Sequence, residues 1–166
     1  MRNLTNEQGR SLVEMMAVLC IIGVITVGAI SATSYGLQSM NLVSLYETVE
    51  STASGVSDLY SWSRAYPNSD DGSAENMGTK IAENDICDGC KAVGDSAETS
   101  ETPLLKMTIS PNDGASFYIT LTPHEGESSI PFVVCSRLAD FAWQNVEWES
   151  PESCTESTNE IKFIAY

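Results

Sequence analysis

The residues from Leu12 to Ile30 read LVEMMAVLCIIGVITVGAI, nearly all apolar, with Glu14 the only charge. At 19 residues the run is close to the ~20 that a helix needs to cross a bilayer. It is too long for the apolar region of an ordinary secretory signal, and no clear small-x-small cleavage site follows it. A retained membrane helix is therefore expected. A charged side chain at the bilayer centre costs on the order of 3 kcal/mol or more, so a glutamate kept at the head of this run calls for a use.

The helical pattern does not end with the apolar run. Leu42, Tyr46, Val49, Ala53, Val56 and Tyr60 follow one another in steps of four and three, the period of an amphipathic helix. No proline occurs before Pro67. One helix is thus predicted from about Ser11 to about Arg64, roughly 80 Å at 1.5 Å per residue. Its first half is apolar all round and its second half has one apolar stripe. Gly23, Gly28 and Gly36 are weak points along it.

Beyond Pro67 the pattern changes. PNSDDGSAENMGT and GDSAETSETP read as turns and loops, with Cys87 and Cys90 between them in ICDGC. LLKMTIS and SFYITLT read as strands joined by the turn PNDG. Alternation puts Phe117, Ile119 and Leu121 on one face. In SSIPFVVCSRLADFAWQ, a cap at Ser129 with Pro131 just inside predicts a short helix. Val134, Leu138, Phe141 and Ala142 would share its inner face. NEIKFIAY reads as a closing strand. The order suggests an α+β domain whose antiparallel sheet packs on the distal half of the long helix.

Roughly 120–130 residues remain for a soluble domain, enough to bury a core. The charge is lopsided, with 8 Lys and Arg against 23 Asp and Glu, net −15. Such a surface repels phosphate backbones, so nucleic acid is not expected as a partner. Anionic lipid is repelled as well, whereas cationic partners are favoured.

Five cysteines are present. Cys20 lies in the apolar run, and Cys87, Cys90, Cys135 and Cys154 form an even set suited to disulfides in an oxidising compartment. Four cysteines allow three pairings, and the residues alone do not choose among them. Cys87-Asp88-Gly89-Cys90 could also act in thiol redox chemistry or as half of a zinc site. It sits in a Gly- and Asp-rich loop without a second ligand pair, which favours a local structural disulfide. SDDGSAEN lacks the spacing of a calcium loop. His124 in TPHEGE has no evident partner. No catalytic set and no phosphate loop stand out, so neither an enzyme nor a cofactor nor a metal is expected.

GRSLVEMMAVLCIIGVITVGA resembles the N-terminus of type IV prepilins and their relatives, the pseudopilins. The family carries a polar leader ending in glycine, a glutamate five residues on, and then an apolar helix. Gly9 and Glu14 match that spacing. Gly23 matches a glycine where the helix of assembled pilins loosens. Over the remainder, the chain looks like the type IVb pilins of conjugation-type thin pili. Arg10 stands where the family more often has an apolar residue, and ICDGC has no counterpart there.

The resemblance implies a type IV pilin fold: a long N-terminal helix, its first half membrane-spanning, packed on an antiparallel sheet domain. It implies a leader at 1–9, a transmembrane and polymerisation helix at 10–36, and a globular domain at 37–166 that includes the amphipathic half of the helix. Prepilin peptidase would cut between Gly9 and Arg10, and Arg10 would be the site of N-methylation. The new amine would neutralise Glu14 of a neighbouring subunit and set the register. Cys135 would pair with Cys154, which closes a loop worth roughly 3 kcal/mol in the chain-entropy model. The implied partners are further copies of the chain in a filament, the peptidase, an inner-membrane assembly platform, and the bacterial inner membrane before export to an extracellular pilus. The alternatives are a type II secretion pseudopilin or minor pilin, a membrane-tethered periplasmic thiol oxidoreductase using Cys87 and Cys90, and a plain tethered binding domain.

Overall fold

The computed structural model describes residues 5–63, 65–68, 77–99 and 102–166, with side chains inside the first helix for 12–29, 37 and 39–60. The chain is α+β. Helix α1 (Thr5–Tyr60) is followed by α2 (Met77–Glu83), β1 (Lys91–Val93), β2 (Ser96–Thr99), β3 (Lys106–Pro111), β4 (Phe117–Thr122), α3 (Phe132–Ala139), β5 (Glu147–Ser150) and β6 (Ile161–Ala165). The chain divides into two units, residues 1–40 and 41–166.

In the first unit, α1 is helical through Gly23 and Gly28, and no other atom lies within 4 Å of where a Cβ at either would stand. Leu12–Ala29, 18 residues of mean hydropathy 2.4, forms a helix segment long and apolar enough to cross a membrane. None of its residues is buried within the protein. A helix that is apolar all round needs apolar surroundings, and a bilayer supplies them.

In the second unit, most of the predicted stripe is buried. Val49, Ala53 and Val56 have no exposed surface and Leu42 and Tyr60 have little, while Tyr46 is half-buried and its neighbour Leu45, outside the predicted stripe, is fully buried. The helix ends at Tyr60, short of the expected Arg64. Ser61 and Ser63 turn back on it there: their hydroxyls donate to Asp58 O at 2.8 Å and Tyr60 O at 2.9 Å, and their N–H groups bond the same carbonyls. Hydroxyls that satisfy the last carbonyls in this way offer the chain an exit from the helix.

The sheet is antiparallel with the order β1-β2-β3-β4-β6-β5. Its inner face alternates as expected. Met107 and Ile109 stand opposite Leu121 and Ile119, and Phe117, Ile119 and Leu121 stand opposite Ala165, Phe163 and Ile161. All eight side chains are fully buried. The outer face carries a polar row across the strands: Lys91, Glu98, Thr108, Thr120 and Lys162.

Three expectations are corrected. Of the stretches read as turns and loops, 77–79 open the helix α2 and 94–99 belong to the β1–β2 hairpin. Gly78 makes this possible, because a Cβ there would stand 2.1 Å from Ser96 O. The start of α3 is not capped by Ser129. Pro131 occupies the N-cap with no side-chain bond, because the Ile130 N–H is already held by Thr158 O at 2.7 Å and its side chain is buried. The helix also stops at Ala139, so Phe141 and Ala142 lie beyond its inner face, which is formed by Cys135 and Leu138. The stretch SDDGSAEN falls outside the described residues.

Candidate functional site

Gly9 and Arg10 lie within the backbone of α1. Glu14 is exposed, in the first turn of the apolar segment, four positions after Arg10. Residues four apart on a helix lie one turn apart on the same face. Position 10 and Glu14 thus lie on one stripe of the helix, at the head of a surface of exposed apolar residues from Leu12 to Val27. Cys20 on this surface is a free, exposed thiol.

The four remaining cysteines are paired as Cys87–Cys90 and Cys135–Cys154. The first pair closes the turn between α2 and β1, where the Thr99 hydroxyl donates to Asp88 O at 2.6 Å. The second ties the buried face of α3 to the segment between β5 and β6. His124 does have a partner: its Nε2 lies 3.2 Å from Thr102 O. A carbonyl only accepts, so Nε2 carries the proton. Among the described residues no group of three His, Cys, Asp or Glu side chains could hold a metal ion.

A second constellation was invisible in the sequence. The segment after α3 is strapped to α1 by two side chains. Glu50 accepts the Gln144 N–H at 2.7 Å, the Asn145 N–H at 3.1 Å and the Asn145 side-chain amide at 2.7 Å. The Tyr46 hydroxyl donates to Ala142 O at 3.1 Å, and its ring stacks on Phe141 at 4.8 Å and meets Trp143 at 4.9 Å. Trp143 in turn packs on Phe163 at 4.5 Å. The partners of Glu50 are some 94 positions away in the chain, so no local pattern points to them. The β1–β2 hairpin did leave a signal, the two-residue turn Gly94-Asp95 between KAV and SAET, a favoured hairpin connection.

Among the described residues, three groups titrate away from their ordinary values. Burial pushes the Tyr60 phenol up. The nearby Glu147 charge pushes the Tyr166 phenol up, with smaller contributions from burial and neighbouring carboxylates. Asp113 is held below the usual carboxylate range, chiefly by the Ser116 hydroxyl and then by the Ala115 N–H. Those bonds set the β3–β4 turn, where Gly114 takes a φ of +82°.

Three hollows of about 500, 520 and 600 Å³ open on the second unit. The first is lined by Gly89, Lys91, Val93, Glu98, Lys106, His124 and Glu125. All three are partly open to solvent. Compared with protein-family models, curated proteins and solved structures, the chain matches none.

Proposed function

We propose that this chain is a pilin, the structural subunit of a type IV pilus-like filament. In this reading, prepilin peptidase cuts it between Gly9 and Arg10, and it polymerises through its N-terminal helix. The observation that carries the reading is Glu14: one carboxylate at the head of an exposed apolar helix, five residues after Gly9. A lone charge in apolar surroundings is costly unless paired. Cleavage after Gly9 creates the missing cation, the free amine of Arg10. In a stack of such helices that amine reaches the Glu14 of a neighbouring copy, and pairing rewards one axial stagger over others. The exposed apolar surface that holds the subunit in the membrane then packs against copies of itself.

An α+β domain on the second half of the helix, closed by the Cys135–Cys154 bridge, fits the carrier domain of such a subunit. Its acidic surface suits an extracellular, water-facing position. A type II secretion pseudopilin or minor pilin uses the same parts and differs in abundance.

The test is the mass of the N-terminal peptide in material sheared from the surface of native cells. A peptide beginning at Arg10 in abundant extracellular filaments is the expected result. A chain still beginning at Met1 and confined to membranes would overturn the reading in favour of a tethered domain. Processed chains at trace level would favour the pseudopilin or minor-pilin role.

A further inference from the structure

The third hollow, of about 600 Å³, lies where the end of α1 and the chain after it meet α2. Trp62 on its wall is 96% exposed, more than any large apolar side chain of Leu12–Ala29, where the highest value is 76%. The other two tryptophans are half-buried, and their indole N–H groups donate to Leu138 O at 3.0 Å and Pro151 O at 2.8 Å. That of Trp62 has no partner among the described residues. An indole combines a large apolar face with one donor, which suits it to a partner that is apolar on one side and polar on the other.

Two kinds of lining surround it. The rings of Tyr60 and Tyr66 and the side chains of Leu59 and Pro67 are apolar. The two rings meet at 5.7 Å and Tyr66 rests on Phe117 at 4.9 Å, so the core backs them. The free polar groups are donors. The Lys80 ammonium stands 5.6 Å from the Tyr60 ring centre and has no ion pair among the described residues. The Tyr60 hydroxyl is buried without a hydrogen-bond partner, and burial raises its pKa, so it stays a donor. Among the described residues that line this hollow there is no Asp or Glu, on a chain with 23 of them. The other two hollows have two each. The wall is also held in place. The Tyr66 N–H bonds Gly114 O at 2.8 Å, the Ser63 hydroxyl lies 2.9 and 2.8 Å from Tyr60 O and Ala65 O, and the Asn84 amide donates to Lys80 O at 2.8 Å. Groups already ordered lose little entropy on binding.

We propose that this hollow binds an acidic saccharide, a pyranose ring that carries a carboxylate. Such a ring has a face of C–H groups and a rim of oxygens. The face covers the Trp62 indole, the carboxylate meets the Lys80 ammonium, and the remaining oxygens accept from the other donors. Aromatic walls with a few polar groups that fix orientation are the usual make-up of a ligand site. Other ligand classes use only part of this lining. An aliphatic chain leaves the donors without acceptors, a small carboxylate leaves the aromatic faces in water, and a neutral sugar makes no use of the unpaired ammonium. An extended peptide added to a sheet needs a strand edge, and the lining comes from two helices and the chain between them.

Binding is measured on the full chain in a detergent without sugar groups, by calorimetry and by protection of tryptophan fluorescence from acrylamide. The probes are trigalacturonate and sialyllactose, their neutral counterparts maltotriose and lactose, and tricarballylate as a carboxylate without a sugar. At least one acidic sugar should bind saturably and protect the fluorescence, with its neutral counterpart at least about tenfold weaker, as when an ion pair is lost from a site. Tricarballylate should give no protection. Trp62→Ala should weaken binding at least about tenfold, as for an aromatic anchor. Lys80→Gln should bring the acidic sugar down to its neutral counterpart and remove the salt dependence of its binding. Both side chains are exposed, so thermal melts of the two variants should match the unaltered chain. Binding of neither acidic sugar, equal affinity for the neutral counterparts or for tricarballylate, or undiminished binding by Trp62→Ala would overturn the site. The filament reading is tested separately, by the N-terminal peptide.

Discussion

Leu19 and Leu45 sit on one helix, and their surroundings could hardly differ more. Leu19 keeps 65% of its surface exposed and Leu45 keeps none. From Leu12 to Ala29 the apolar residues surround the helix and none of them is buried. From Leu42 to Tyr60 they form a stripe, and that stripe lies in the core shared with the sheet. Burying a Leu or Val side chain is worth roughly 1.5–3 kcal/mol. The second stretch gains this within the subunit. The first gains it only from something outside, a bilayer or further copies of the same helix. A continuous helix thus divides its apolar residues between those buried in the fold and those left to its surroundings.

That division can be broken first at Glu14. Glu14→Gln is expected to leave the domain's denaturation midpoint unchanged, while filament yield falls about a hundredfold or more, as expected when one partner of a desolvated charge pair is lost. Filaments at normal yield would mean that the carboxylate has no part in assembly. Next come the two leucines. Leu45→Ala should cost about 2–5 kcal/mol of domain stability, whereas Leu19→Ala should stay within about 0.5 kcal/mol. Denaturant unfolding of both variants in detergent compares them directly, and equal effects would erase the distinction between the stretches.

Glu50 sharpens the comparison from the folded side. Glu50→Ala leaves the Gln144 and Asn145 donors without their acceptor, so a loss of about 1–3 kcal/mol is expected, read from the same unfolding curves. The smallest effect belongs to Asp113. Hydrogen bonds to its ionised form lower its folded-state pKa. Its contribution is therefore complete above the unfolded carboxylate value of about 4 and is lost as pH falls through the lower folded value. Asp113→Asn should flatten that part of the acid-stability profile slightly and change nothing at neutral pH in its slope. A steeper profile in the variant would contradict the assignment.

The order of legibility follows the range of the interactions. Long elements with a strong period were readable: the apolar run, the stripe, and the alternation of Phe117, Ile119 and Leu121 and of Ile161, Phe163 and Ala165. Short elements were not. The helix α2 and the strands β1, β2 and β5 have three to seven residues each, too few for periodicity to separate from loop. They exist because neighbours hold them, as when Gly78 lets α2 approach the backbone of Ser96. The cap at Ser129 failed for a related reason: a bond from Ile130 to Thr158, 28 positions away, fixes where α3 begins.

By itself the sequence determined which residues must leave water, because apolar spacing sets the face or the full circumference that is buried, and it placed the lone carboxylate of Glu14 among them. Tertiary structure alone decided where those faces meet. The pairing of Cys135 with Cys154 and the hold of Glu50 on Gln144 and Asn145 both depend on contacts between distant residues. Local propensity carries no record of such contacts, since the free energy that selects them appears only once the chain has closed on itself.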